Sequence, residues 1–284
     1  MFDNGMPREI TQFNNERVPV SLGILLDASG SMTPDKMSAA TAAIERLMNE
    51  LLAPSDELFF VEFASYVHVL QEWTTDRRKI SRALDRVSPM GGTAMYDAIA
   101  RALPMAASGM HQKKAILVIS DGNDTESRIG VSELRQAIRE SEVLVYALGV
   151  DGVGSSTTTR FPPNNPPVRR PPIPIPFPIP GTNGGRPRFP QIIGGGRNFP
   201  RNSNERVNAD ALRQITDDTG GRTEIVRGFG DLGAATERIA DELSKQYYLG
   251  YASTGDKDGR WHTIRVDVRD RRLNVRARKG YVAS

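Results

Sequence analysis

The chain has 284 residues, 38% apolar and 25% charged, with 37 basic against 34 acidic side chains and no cysteine. That suits one large globular domain, or a domain with appendages, and excludes disulfides, thiolate metal sites and cysteine nucleophiles. The net charge of +3 is also local, because residues 151–206 hold 8 Arg against 2 acids, a net +6 that leaves −3 for the remainder, so no basic face for nucleic acid is expected.

In chain order, "MPREITQF" near the start alternates and is a candidate strand for pairing elsewhere. "VPVSLGILLD" reads as a buried strand, and "PDKMSAATAAIERLMNELLA" as a helix with Pro34 in its first turn. "DELFFVEFA" and "YVHVLQEW" read as a hairpin. "RRKISRALDRV" and "AMYDAIARALPMAA" read as helices, "KKAILVISDG" as a strand, "VSELRQAIRES" as a helix and "EVLVYALGV" as a strand. This alternation predicts an α/β fold, doubly wound around a mostly parallel sheet.

The pattern breaks over Phe161–Pro200, which contains 13 prolines. Residues 152–206 are expected to be a Pro/Gly/Arg-rich insertion in extended, irregular conformation, because proline fixes φ and lacks a donor. "PPIPIPFPIP" within it also has the composition of a ligand for proline-recognising modules, with a spacer as the plainer role. Helix, strand and long helix resume at "NADALRQITDDTG", "RTEIV" and "DLGAATERIADELSKQYY". The tail, residues 247–284, predicts an antiparallel extension from "YLGYAST", "WHTIRVDVR" and "RLNVRARKGY", with turns at "GDKDG" and "DRR". Its Arg/Val alternation suits a solvated sheet face, or a strip for acidic partners. No run of about 18 apolar residues marks a membrane span, and the first residues lack the apolar core of a signal peptide.

The chemistry gathers at strand ends. Asp27, Ser29 and Ser31 follow the first core strand and Asp121 follows another, which puts both groups on the carboxyl edge of the sheet where open α/β folds bind ligands. In "MGGTAMYDA", two glycines allow close backbone approach and Thr93 adds a hydroxyl before a helix. Two carboxylates and three hydroxyls are hard oxygen donors that suit Mg²⁺, with Mn²⁺ or Ca²⁺ as substitutes, and leave a coordination position for an external carboxylate. The plainer account is helix capping by Ser31, Thr33 or Asp35. Asp124, Thr125 and Gly92 are candidates for supporting the metal loops, with an ordinary polar loop as the alternative. Asp97 is read as a first-turn charge on the helix after Thr93, and Met95 and Tyr96 as packing residues. His68, His111 and His262 are scattered and form no ligand pair.

"DASGS", "GGTAMYDAI" and "SDGND", in that order, resemble the metal-ion-dependent adhesion site (MIDAS) of von Willebrand factor type A domains. The resemblance implies that Asp27, Ser29, Ser31, Thr93 and Asp121 form the metal set, the hydroxyls contacting the ion and the acids often acting through water. It spans Val18–Ile239, and the domain is taken as residues 18–246 after an N-terminal strand segment, 1–17. The tail and "FDNGMPREITQF" resemble a bacterial group of secreted proteins first named from Acidobacteria, and the chain begins inside that pattern. This implies secretion or a place in the cell envelope, with the cytoplasm as the alternative for a chain that shows no signal.

The function expected is a non-enzymatic module that binds a protein partner through an acidic side chain. A metal-dependent hydrolase is opposed by the lack of a histidine in the three loops and of phosphate-loop or nucleophile-elbow motifs. The other alternative is an intracellular partner of an ATPase assembly, a role of similar domains. Partner identity and oligomeric state have no readable code.

Overall fold

The computed structural model describes residues 1–151, 207–227, 229–252, 257–270 and 272–283. The predicted insertion, 152–206, and part of the "GDKDG" turn lie outside them.

At the centre is a six-stranded sheet built from β4 (Val20–Asp27), β5 (Glu57–Phe63), β6 (Val67–Thr74), β7 (Lys113–Ser120), β8 (Leu144–Val150) and β9 (Thr223–Val226). Their order is β6-β5-β4-β7-β8-β9, and all neighbours are parallel except the β5–β6 pair. All eight residues of β4 are buried, as a central strand covered on both faces requires. Alternate residues feed two cores. Leu22, Ile24 and Leu26 join helices α1 (Pro34–Arg46), α2 (Arg77–Leu84) and α6 (Phe229–Ser244). Leu25 and Phe59 join α3 (Met95–Ala107), α4 (Val131–Glu140) and α5 (Ala209–Thr216) on the other side. Gly23 faces Phe59 across β4–β5, and a Cβ at Gly23 would lie 2.1 Å from the ring's Cζ. Phe59 in turn meets Trp73 edge-on, centroids 4.7 Å apart.

The N-terminal segment does pair with the tail. Strands β1 (Phe2–Asp3) and β2 (Met6–Pro7) form a hairpin through Asn4 and Gly5, at φ 49° and 78°. β1 also pairs with β11 (Trp261–Arg265), which pairs with β12 (Gly280–Val282). β3 (Gln12–Asn14) pairs with β10 (Tyr248–Gly250).

Three expectations are corrected. The strand predicted over "WHTIRVDVR" stops at Arg265, and "RLNVRARKGY" is strand only from Gly280. Leu273 is 62% exposed and Val275 36% exposed, so the alternating pattern there meets no apolar surface to pack on. The last helix ends at Ser244, and Tyr248 begins a strand instead. The first helix passes at Leu47–Leu51 into one turn of π-helix.

Lys113, at the start of β7, is buried; its ammonium donates to the Leu243 carbonyl at the end of α6 and lies 5.5 Å over the Tyr248 ring. Burial pushes its pKa down to about 8. Its folded value thus lies below the unfolded one, so charging it opposes folding at neutral pH, and the penalty fades as pH rises from about 8 to 10.5. Stability is expected to climb by about 2 kcal/mol over that window, before ionisation of the buried Tyr146 and half-buried Tyr248, whose pKa values burial raises, works against the fold. Urea unfolding at stepped pH checks this, and Lys113→Met is expected to lose the climb.

Candidate metal centre

Three loops at the carboxyl edge form the site, and main-chain hydrogen bonds join them. The loop after β4 meets the Gly-Gly-Thr loop through Met90 N to Ala28 O at 2.8 Å and Gly30 N to Gly91 O at 2.9 Å. Gly91 has φ +77°, so its left-handed backbone is one that side chains disfavour. The same loop meets the β5–β6 turn through Ala94 N to Ala64 O and Gly92 N to the Ser65 hydroxyl. It meets the loop after β7 through Thr93, whose carbonyl accepts from Thr125 N and Glu126 N and whose N–H donates to the Thr125 hydroxyl. A Cβ on Gly92 would come within 2.4 Å of the Glu126 side chain.

The predicted ligands stand in this frame. Asp27 is fully buried; one carboxylate oxygen accepts from Ser29 N at 2.8 Å and the other from the Ser120 hydroxyl at 2.5 Å. Burial drives its pKa up to about 6 against these hydrogen bonds, and the charge of Asp121 adds to the rise. The Ser29 and Ser31 hydroxyls are 2.9 Å apart. Thr93 is buried. Asp121 is fully buried; its Oδ1 accepts from Asn123 N at 3.4 Å, while its Oδ2 has no hydrogen-bond partner. A buried carboxylate oxygen without a donor is costly unless a cation answers it. Among the described residues, no three His, Cys, Asp or Glu side chains cluster as a metal site. A cation here therefore relies on hydroxyls beside the two carboxylates, and this donor set fits a hard divalent ion.

Asp124 and Thr125 are not an ordinary polar loop. Helix α3 has no side-chain cap from its own flanking residue, Ala94. Asp124 supplies one from the neighbouring loop, its Oδ1 accepting from Met95 N at 2.8 Å, Tyr96 N at 3.3 Å and the Ser127 hydroxyl at 2.6 Å. Asp97 returns the contact by accepting from Arg128 N and Ile129 N. Met95 is buried, as its packing role predicts. Where the chain resumes, Asn208 N donates to the Asp121 carbonyl at 2.8 Å and braces the same loop.

Sequence reasoning missed two contributors. In sequence Ser120 is only the end of a strand, yet its hydroxyl donates to Asp27 and accepts from Gly122 N. Lys36 is buried in the first turn of α1, its ammonium 3.1 Å from the Ser31 carbonyl and 3.5 Å from Asp121 Oδ2. Its signal was a cation at a helix N-terminus, where the helix dipole disfavours one.

Residues 22–123 match the model of the von Willebrand factor type A domain. Inter-alpha-trypsin inhibitor heavy chain H2 of mouse is 24% identical over 155 residues, 48% of this chain and 16% of that protein, and the human protein is 21% identical over 152 residues, again 16% of its length. The chain thus spans about a sixth of the curated relatives it matches. Among solved structures, BatB from Bacteroides thetaiotaomicron is similar with a TM-score of 0.54 at 23% identity, covering 80% of this chain and all of that one. A von Willebrand factor type A protein from Catenulispora acidiphila gives 0.54 at 17%, covering 80% of this chain and 43% of that one. Proximal thread matrix protein 1 from mussel byssus, with zinc occupying its MIDAS motif, gives 0.56 at 13%, covering 84% and 49%. At these identities the structural likeness speaks for the fold. The sequence match, running from β4 through the loop after β7, places a von Willebrand factor type A domain at residues 22–123 of this chain.

Proposed function

We propose that this chain is a non-enzymatic, metal-dependent protein-binding module. Asp27, Ser29, Ser31, Thr93 and Asp121 would hold Mg²⁺, with Mn²⁺ or Ca²⁺ as substitutes. When bound, the ion supplies a Lewis-acidic position for a carboxylate from a protein partner. The observation that carries the reading is the buried Asp121 Oδ2, which has no hydrogen bond and only the Lys36 ammonium at 3.5 Å, in loops that the main chain otherwise satisfies. The zinc-occupied MIDAS of the mussel protein supports a divalent ion on this fold. The residues divide the work. Ser120 and Ser29 N orient Asp27, Thr125 fixes the backbone of Thr93, and Asn208 steadies Asp121. General acid–base catalysis has no evident agent, because the carboxylates of the cup are committed to the ion and no histidine lies in the three loops.

Calorimetric titration of Mg²⁺ and Mn²⁺ into chelator-stripped protein tests the reading. One saturable site is expected, strengthened by acetate or an acidic peptide and lost in both Asp27→Ala and Thr93→Ala. Folded wild-type protein that binds no metal, with or without acetate, would end it.

A further inference from the structure

Lys36 is the feature the metal reading leaves unexplained. It occupies the third position of α1, after the Thr33 cap, Pro34 and Asp35. Two physical costs oppose a lysine there. The positive end of the helix repels it, and its side chain is only 4% exposed, a burial lysine tolerates only when paired. Its ammonium reaches past the helix to the Ser31 carbonyl at 3.1 Å and to Asp121 Oδ2 at 3.5 Å. That oxygen is the one without a hydrogen bond. The fully buried carboxylate of Asp121 provides the charge that holds it.

We propose that Lys36 is a tethered counter-cation of the metal centre, one that makes the bare ion bind weakly and makes metal and carboxylate ligand bind cooperatively. The inference rests on the metal-binding reading above. By formal charge, two carboxylates and one ammonium sum to −1, and the ammonium takes part of the ion's role while no ion is bound. A divalent ion then turns the centre to a net positive charge, where the same cup without the lysine would be neutral. The surplus opposes the ion and is cancelled when a partner's carboxylate enters. Lys36 therefore couples the two ligands, and the coupling is reciprocal: acetate tightens Mg²⁺ by the factor by which Mg²⁺ tightens acetate.

The test uses Lys36→Met, which keeps the aliphatic stem and removes the charge, with Lys36→Gln in reserve should the methionine variant not fold. Calorimetry with Mg²⁺ is run with and without acetate. The variant is expected to bind Mg²⁺ at least about tenfold more tightly than wild type without acetate, and to gain less from acetate than wild type does. In chelated protein, Asp121→Asn is expected to shift the melting temperature less in the Lys36→Met background than in wild type, because the charge it removes is then already unanswered. Equal Mg²⁺ affinity in variant and wild type, or weaker binding by the variant, overturns the counter-cation and leaves Lys36 a packing or positioning residue. Failure of the underlying metal reading looks different. Neither protein then binds Mg²⁺ under any condition, which removes the coupling claim, while the melting-temperature cycle still decides by itself whether Lys36 answers Asp121.

Discussion

Replacing Asp124 with alanine is expected to cost about 2 kcal/mol of stability and to weaken Mg²⁺ binding at least about tenfold, although Asp124 is outside the proposed ligand set. One of its oxygens takes three hydrogen bonds, two from the opening amides of α3 and one from Ser127. Alanine would leave two helix N–H groups part-buried and unanswered, a loss at the upper end of that for a missing cap. The same carboxylate ties the loop after β7 to the helix that follows Thr93, so its loss frees two ligand-bearing loops to move apart. Asp124→Asn separates the two effects. It keeps an acceptor oxygen and gives up only the charge at the helix terminus, about 0.3–1 kcal/mol, so most of the stability should return and metal affinity with it. Urea denaturation and calorimetry on the three proteins measure both quantities. Wild-type stability in Asp124→Ala would show that the loop holds without the cap.

The second large effect concerns the core beneath the site. Phe59→Ala is expected to destabilise the domain by about 3–5 kcal/mol, because the ring is fully buried and is pinned between Gly23 and the edge-on Trp73. Gly23→Ala should cost about 1–3 kcal/mol for the opposite reason, since its methyl would enter space the ring already fills. Combined, the two should cost less than their sum, because each relieves what the other imposes, with a coupling of about 1–2 kcal/mol. Strictly additive costs would mean that β4 and β5 shift apart instead of sharing the space. Because β4 ends on Asp27, four residues beyond Gly23, such a shift would also appear as weakened metal binding in Gly23→Ala alone.

The central sheet was legible because two-sided burial leaves unbroken apolar runs that stop abruptly on Asp27 and on Ser120–Asp121. The five proposed ligands could be named because they gather at strand ends and ahead of a helix, in three stretches that resemble a known metal motif. What stayed hidden depends on contacts distant in sequence. Asp124 caps a helix that begins 29 residues earlier, and no local pattern marks that partnership. Lys36 shows in sequence only as a cation in the first turn of a helix, and its pairing with Asp121, 85 residues on, is visible only in the fold. In the tail, alternation of arginine and valine satisfies the rule for a half-buried strand, yet a strand also needs a paired neighbour, and pairing in this stretch begins only at Lys279, whose carbonyl accepts from Ile264 N.

The three loops of the centre are fastened chiefly by their peptide groups, through Ala28, Gly30, Ala64, Met90, Gly91, Thr93 and Ala94. Apart from the inward-turned Asp124, Thr125 and Ser65 side chains, which also accept main-chain hydrogen bonds, a socket made this way is independent of the side chains that point outward from its rim. Tyr66 and Met90, 68% and 70% exposed, project from the same stretches of backbone that hold the frame. Substitution at such positions can change the texture of the rim while the seat for the ion keeps its shape. The fold thus separates two problems that most binding surfaces must solve together, how to grip and whom to grip. New partners can be acquired by exchanging the rim, one residue at a time, without rebuilding the grip.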